Sequence, residues 1–226
     1  MAERTFRIWR GNAEGGEFKD YQVEVEPGMV VLDAVHSVQA KDANDLACRW
    51  NCKAGKCGSC SAEINGKPRL QCMTRLNQIP DGETITIQPL KTFPIIKDLV
   101  TDVSWNYEQN KRIRPLKPRA READGTHRMQ QEDVDRVQEF RKCIECYLCQ
   151  TVCHVIRDQD RKDAFVGPRF MIRLASLEMH PLDTDDRIPE IKNDFGSGLS
   201  NTTRCCTDGC PVHISITDHG LIPTKA

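Results

Sequence analysis

Cys52-Lys-Ala-Gly-Lys-Cys57-Gly-Ser-Cys60 is the stretch that decides the fold of the first half of this 226-residue chain, and Cys72 follows it on a separate segment. The spacing C-x4-C-x2-C with a distant fourth cysteine is typical of sites that hold a [2Fe-2S] cluster. Its two glycines permit the positive φ angles and the close approach to sulfur that wrapping a cluster requires. We therefore predict a [2Fe-2S] cluster held by Cys52, Cys57, Cys60 and Cys72.

A second cysteine run, Cys143-Ile-Glu-Cys146-Tyr-Leu-Cys149-Gln-Thr-Val-Cys153, has the spacing C-x2-C-x2-C-x3-C of bacterial two-cluster ferredoxins. In such proteins the fourth cysteine of the run ligates the other cluster, so each cluster needs thiolates from elsewhere. A third group near the end of the chain can supply them, and it consists of Cys205, Cys206 and Cys210. The spacing predicts one [4Fe-4S] cluster at Cys143, Cys146, Cys149 and Cys210. Cys153 would join the rest of the third group around a second cluster.

All twelve cysteines fall within three regions, 48–72, 143–153 and 205–210. The first ten residues lack the apolar core of a signal peptide, so we expect reduced thiols and metal ligation rather than disulfides. No stretch approaches the roughly 18 apolar residues that a membrane-spanning helix needs. Because 32 basic residues nearly balance 33 acidic ones, the sequence predicts no nucleic-acid binding.

Structural zinc is the alternative occupant of these cysteine sites, because four thiolates also suit a tetrahedral zinc ion. Zinc ribbons usually present two C-x2-C knuckles, whereas the first region has only the one formed by Cys57 and Cys60. In the second half, soft thiolates with few histidines nearby favour iron-sulfur chemistry. Cys48 is left over, and we interpret it as an ordinary buried thiol without a role.

The hydrophobic pattern predicts different structures for the two halves. Residues 5–10 and 21–26 read as two strands joined by a turn, and the valines after residue 30 recur at helical spacing. Asn65-Gly66 signals a tight turn, and residues 84–87 alternate as a short strand. After residue 130, apolar residues at 134–140 and 170–177 predict helices.

These patterns predict two domains, 1–100 and 101–226. A connector at 91–125 has weak periodicity, three prolines and a cluster of basic residues. We interpret the basic cluster as part of a solvated linker, and the alternative is that it docks on an acidic partner surface.

A plant-type [2Fe-2S] site followed by a bacterial-type two-cluster region resembles the iron-sulfur subunits of succinate dehydrogenase and fumarate reductase, over nearly the whole chain. The resemblance implies an α+β chain with an N-terminal β-grasp ferredoxin domain, an all-α helical ferredoxin domain, and [2Fe-2S], [4Fe-4S] and [3Fe-4S] clusters. It also implies electron transfer from the FAD of a flavoprotein subunit to quinone at a membrane-anchor subunit, with no succinate bound by this chain. The expected location is peripheral, at the cytoplasmic face of the cell membrane.

The closing motif departs from that family. Relatives usually carry C-x5-C-x3-C-P, whereas this chain has Ser200-x5-Cys206-x3-Cys210-Pro211. The [3Fe-4S] ligands would be Cys153, Cys206 and either Cys205 or Ser200, or the third cluster is altered. We favour Cys205 slightly, because a serine oxygen is a harder donor that loses its proton less readily. Asn201 stands where a quinone-contacting histidine is common, so we expect a different quinone site.

Three other functions remain open on the sequence. Ligand spacing does not separate succinate oxidation from fumarate reduction, because cluster potentials depend on hydrogen bonds, charge and exposure. A free ferredoxin-like carrier is another alternative, although such carriers often have a strong acidic charge. The last is a zinc-stabilised interaction module without a redox role.

Overall fold

Two units make up the fold of the residues that this computed structural model describes, 2–225. The first unit comprises the chain up to Val103 together with Ile144–Thr151. The second comprises Ser104–Cys143 together with the chain from Val152. Within residues 2–225, no helix has the length and apolar character needed to cross a membrane.

The first unit is built on one mixed sheet with a single long helix. The helix α1 spans Val31–Lys41, and a short helix α4 spans Leu148–Thr151. The strands are β1 Ala2–Asn12, β2 Gly15–Val25, β3 Ser61–Ile64, β4 Lys67–Leu70, β5 Ile85–Gln88, β6 Ile95–Lys97 and β7 Val100–Thr101. Short 3-10 turns follow β4 at Gln71–Met73 and Leu76–Gln78.

The sheet order is β4-β3-β5-β1-β6-β7, and β2 pairs with β1. The strands β1 and β2 form the predicted antiparallel hairpin, with a turn shorter than expected because both strands extend to within two residues of each other. Strand β5 returns parallel to β1, with Phe6 opposite Ile85 and Ile8 opposite Ile87. These side chains are fully buried with Val35 of α1, so the apolar face of the helix covers the centre of the sheet.

The buried carboxylate of Asp98 ties the hairpin to the segment that leads into the first cysteine loop. Asp98 is 2% exposed and accepts hydrogen bonds from the backbone N–H groups of Gly11 at 3.0 Å and Ala47 at 2.8 Å. Arg10 Nε donates to the same carboxylate at 3.1 Å. The entry to the loop is therefore held by the sheet.

The second unit is helical, as the sequence predicts for this half. Its longest helix is α6 Pro168–Glu178, and most of the residues of this helix are buried. The helix follows Gly167, whose φ of 85° suits a glycine. The other helices are α2 Ser104–Arg112, α3 Gln131–Gln138, α5 His154–Arg157, α7 Ile188–Asn193 and α8 Cys205–Asp208. Two 3-10 turns, Glu139–Lys142 and Ser197–Leu199, and a π-helical turn, Ile216–Leu221, complete the unit. The sheet followed by helices confirms the predicted α+β class.

The basic segment within the predicted connector is not a solvated linker. Arg114 forms ion pairs with Asp185 at 2.9 Å and Glu190 at 3.0 Å. The backbone N–H of Arg119 donates to the carbonyl of Leu182 at 2.9 Å. The acidic surface on which this basic segment lies thus belongs to the same chain.

Arg187 lies at the centre of this contact and is completely buried. Its guanidinium donates to Asp183 Oδ2 at 2.8 and 3.1 Å and to the carbonyl oxygens of Arg114 and Pro115, both at 2.9 Å. Burial would raise the pKa of Asp183, but hydrogen bonds from Asp185 and Arg187 lower it below its usual value. The carboxylate is therefore charged in the folded protein and depends on Arg187.

We expect Arg187→Met to destabilise the second unit strongly. The substitution leaves a buried carboxylate without its partner, which typically costs about 3 to 5 kcal/mol. Thermal unfolding of the purified full-length chain, followed by circular dichroism, measures the change.

The matched control is Arg114→Met, which removes a side chain from the same contact. Because Arg114 is half exposed, its ion pairs are screened by water, and the melting temperature should fall much less. Equal losses in the two variants would contradict the role given to Arg187.

Candidate functional site

The hairpin formed by β3 and β4 brings two cysteines of the first group together. Cys60 precedes β3 and Cys72 follows β4, and Ser61 pairs with Leu70 between them. The backbone N–H of Cys72 points at Cys60 Sγ at 3.5 Å. Strand pairing therefore places a distant fourth thiol beside the loop, as the spacing predicts.

The loop between Cys52 and Cys60 has a backbone that turns its N–H groups towards sulfur. The N–H groups of Ala54 and Lys56 lie 3.4 and 3.3 Å from Cys52 Sγ. Lys53 has a φ of 53°, which non-glycine residues rarely adopt. Such N–H groups stabilise the negative charge of a ligating sulfur.

Gly58 is needed for space as well as for its φ of 69°. A Cβ at this position would lie 2.7 Å from the Cα of Cys146, so a larger residue would force the two backbones apart. Ser61 fixes the same contact, because its hydroxyl donates to the carbonyls of Gly58 at 2.8 Å and Cys146 at 3.0 Å. The second cysteine run thus begins to pack against the first loop within the first unit.

The thiols of the first group differ in acidity. Burial alone would raise the pKa of Cys57, but hydrogen bonds, chiefly from Ser59, lower it to about 6. Burial, together with the neighbouring Cys72 thiol, raises the pKa of Cys60 to about 12. A thiol as weakly acidic as Cys60 loses its proton at neutral pH only when a cation binds to it.

Cys48 lies against the apolar core of the first unit rather than in the loop. Burial raises the pKa of its thiol to about 11. Its sulfur lies 3.6 Å from Nε2 of Gln71, a side chain that is 1% exposed. Cys48 is only partly buried, rather than buried as predicted, and its pairing with the residue before Cys72 has no signal in the sequence.

The second run is shared between the two units. Cys146 and Cys149 belong to the first unit, through Ile144–Thr151, whereas Cys143 and Cys153 belong to the second. Cys146 and Cys149 are buried, and the residues that precede and follow Cys146, Glu145 and Tyr147, have φ angles of 55° and 59°.

The third group lies in the second unit, around the short helix α8. Arg204, with a φ of 65°, begins the helix and places Cys205 and Cys206 in its first turn. The N–H of Ile214 points at Cys210 Sγ at 3.4 Å. Thr217, which sequence reasoning did not single out, lies with its hydroxyl oxygen 3.4 Å from Cys206 Sγ.

The thiol of Cys205 is unusually acidic. A hydrogen bond from Cys206 lowers its pKa to about 5 against the effect of burial, and Thr203 donates to its sulfur at 3.3 Å. The pKa of Cys153 is raised, chiefly by burial and to a lesser extent by the negative charge of Cys205. The direct partners of the Cys205 sulfur are therefore Cys206 and Thr203.

Ser200 is 8% exposed and is held by local contacts. Its hydroxyl accepts a hydrogen bond from the N–H of Thr202 at 3.4 Å, and its carbonyl accepts one from the Lys225 ammonium. Among residues 2–225, no three histidine, cysteine, aspartate or glutamate side chains are grouped as a site for a single metal ion.

These residues fit iron-sulfur clusters in their chemistry. The donors are cysteine sulfurs, and backbone N–H groups point at sulfur in both the first and the third group. Left-handed backbone beside the cysteines is what allows the N–H groups to turn inward.

Comparison with known families agrees with the assignment of the cysteine groups to iron-sulfur clusters. Residues 5–108 match a 2Fe-2S iron-sulfur cluster binding domain, and residues 139–214 match a 4Fe-4S dicluster domain. Together the two matches cover all three cysteine groups.

Individual relatives carry related names. The fumarate reductase iron-sulfur subunit of Wolinella succinogenes is 31% identical, over 94% of this chain and 92% of that protein. The succinate dehydrogenase iron-sulfur subunit of Coxiella burnetii is 29% identical, over 93% of this chain and 91% of that protein. An uncharacterized iron-sulfur protein of Methanococcus maripaludis is 31% identical over 96% of this chain, but the chain spans only 42% of its length.

One solved structure is much more similar. A chain of the Mycobacterium smegmatis Sdh1 complex in the apo form is 58% identical, with a TM-score of 0.95, and the match covers 99% of this chain and 94% of that chain. A relative that is 31% identical over 92% of its length and a structure that is 58% identical over 94% of its length show common descent. This chain therefore belongs to the family of iron-sulfur subunits of succinate dehydrogenases and fumarate reductases.

Proposed function

We propose that this chain is the electron-carrying subunit of a succinate dehydrogenase, which connects the FAD of a flavoprotein subunit with quinone at a membrane-anchor subunit. The observation that carries the proposal is the set of cysteine sulfurs met by backbone N–H groups within a chain that matches both cluster-binding domains. When bound, the clusters supply one-electron redox chemistry, and the chain itself binds no succinate.

The residues of this chain would hold, shield and orient those clusters. The sets that we propose are Cys52, Cys57, Cys60 and Cys72 for [2Fe-2S], Cys143, Cys146, Cys149 and Cys210 for [4Fe-4S], and Cys153, Cys205 and Cys206 for [3Fe-4S]. Most of these sulfurs are buried, which keeps water from the redox centres. Residues 1–100 and 101–226 would be the corresponding ferredoxin domains.

Cys205 is preferred over Ser200 as the third ligand because of its neighbours. It is adjacent to Cys206 in the first turn of α8, and its sulfur accepts a hydrogen bond from Thr203. A thiolate is also a softer donor for iron than a serine oxygen. The contacts of Ser200 are instead with Thr202 and Lys225.

The partners and the location follow from membership of such a complex. The relatives' names support membership of a multi-subunit succinate dehydrogenase complex. Within it we propose a flavoprotein subunit and a membrane anchor as partners, with this chain peripheral at the cytoplasmic face of the membrane. Near-balanced charge gives no support to nucleic acid as a partner.

Fumarate reduction is the second candidate function, because relatives of similar identity carry that name. The greater identity to the Sdh1 chain, 58% against 31%, favours the dehydrogenase.

Anaerobic purification of the tagged chain from its native host tests the proposal. We expect brown protein with iron and acid-labile sulfide, and a co-purifying flavoprotein that oxidises succinate faster than it reduces fumarate. The measurements are absorbance, metal and sulfide analysis, and the rates in the two directions. Zinc without sulfide, or iron-sulfur protein without any flavoprotein, would contradict it.

Separate variants of the third cysteine group test the ligand assignment. Cys205→Ala should abolish the electron paramagnetic resonance (EPR) signal of the oxidised [3Fe-4S] cluster, because a ligand is lost. Ser200→Ala should keep it, and Cys48→Ala is a matched control that removes a thiol outside the proposed ligand sets. If the signal survives Cys205→Ala and disappears in Ser200→Ala, the ligand is Ser200.

A further inference from the structure

Thr217 places a hydroxyl against a cysteine of the third group in a site closed to water. Its side chain belongs to the π-helical turn Ile216–Leu221 and is 1% exposed. The hydroxyl oxygen lies 3.4 Å from Cys206 Sγ, and Cys206 is 4% exposed. The contact is therefore a direct one between two buried groups.

A neighbouring threonine fixes the direction of this hydrogen bond. The backbone N–H of Thr217 donates to the hydroxyl oxygen of Thr207 at 2.9 Å, and the Thr207 hydroxyl donates to that of Thr217 at 3.1 Å. The proton of the Thr217 hydroxyl is left for the sulfur. A ligating Cys206 is a thiolate and can only accept, so the three groups form a chain that ends on sulfur.

The turn that carries Thr217 is held at both sides by contacts within the second unit. Glu139 accepts a hydrogen bond from the N–H of Ser215 at 2.8 Å and contacts the His219 ring at 2.5 Å. Arg204, which begins α8, pairs with Asp218 at 2.9 Å. The hydroxyl is thus positioned before any change in redox state occurs.

We propose that Thr217 is a positioning residue that raises the reduction potential of the third cluster by donating a hydrogen bond to Cys206 sulfur. The inference rests on the proposed function, because it requires Cys206 to be a cluster ligand. Reduction adds an electron and makes the ligand sulfurs more negative, so a donor aimed at sulfur stabilises the reduced form more than the oxidised one. Thr207 strengthens the effect by polarising the Thr217 hydroxyl.

The test is an EPR-monitored redox titration of the intact complex carrying Thr217→Val, which keeps the shape of the side chain and removes the hydroxyl. We expect the reduction equilibrium of the third cluster to shift about tenfold towards the oxidised form, the size typical of a hydrogen bond to a charged group. For one electron this corresponds to about 59 mV. The [2Fe-2S] cluster in the same sample is the internal control, and its potential should not change.

Two further variants separate tuning from a general loss of structure. Thr217→Ser retains the hydroxyl and should keep the potential of the unaltered protein. Thr207→Val leaves the Thr217 donor in place but removes its polarising partner, so the shift should have the same direction and be smaller, about twofold.

An unchanged potential in Thr217→Val, with the EPR signal intact, overturns the inference. If Thr217→Val fails to assemble, Thr207→Val decides, and an unchanged potential there overturns it. Cys206→Ala separates the two levels of the argument. If the third-cluster signal survives that substitution, the ligand assignment has failed, whereas loss of the signal together with an unshifted Thr217→Val rejects the tuning role alone.

Discussion

Buried sulfur that carries negative charge needs hydrogen-bond donors, and this chain supplies them by bending its own backbone. Among the described residues, nine non-glycine residues have positive φ angles, and six of them lie within three residues of a cysteine: Lys53, Glu145, Tyr147, Thr202, Arg204 and His213. Each such conformation costs of order 1 to 3 kcal/mol, and beside Lys53 it accompanies the N–H groups of Ala54 and Lys56 that point at Cys52 sulfur. The free energy of cluster binding contributes to the free energy of folding. Cluster binding can therefore offset the cost of these strained backbone conformations.

The elements that could be predicted from the sequence are those with a local signal. Cysteine spacing indicated each ligand group, and the hairpin, α1 and the turn at Asn65 followed from alternation, helical spacing and turn residues. The contacts of Gln71 and Thr217 could not be predicted in the same way. Gln71 meets Cys48, and Thr217 meets Cys206, only because the fold brings separate segments together. Neither glutamine nor threonine at these positions gives a sequence signal of such a contact.

The ion-pair partners of the basic segment could not be predicted from the sequence either. The sequence favours a solvated linker for this row of lysines and arginines, because the row itself does not show where acidic partners lie. Here the acidic partners lie 66 to 76 residues away in the same chain, at Asp183, Asp185 and Glu190. Arg187 makes the contact specific, because its guanidinium is satisfied only when two backbone carbonyls of the basic segment are present.

The return of Ile144–Thr151 to the first unit has a consequence for synthesis of the protein. A nascent chain released only as far as Val103 still lacks the segment whose Cys146 carbonyl accepts the Ser61 hydroxyl and packs over Gly58. The sheet can form on the ribosome, but its cysteine loop remains uncovered until translation passes residue 151. Until then, the backbone around Gly58 lacks the contact that Cys146 supplies in the complete first unit.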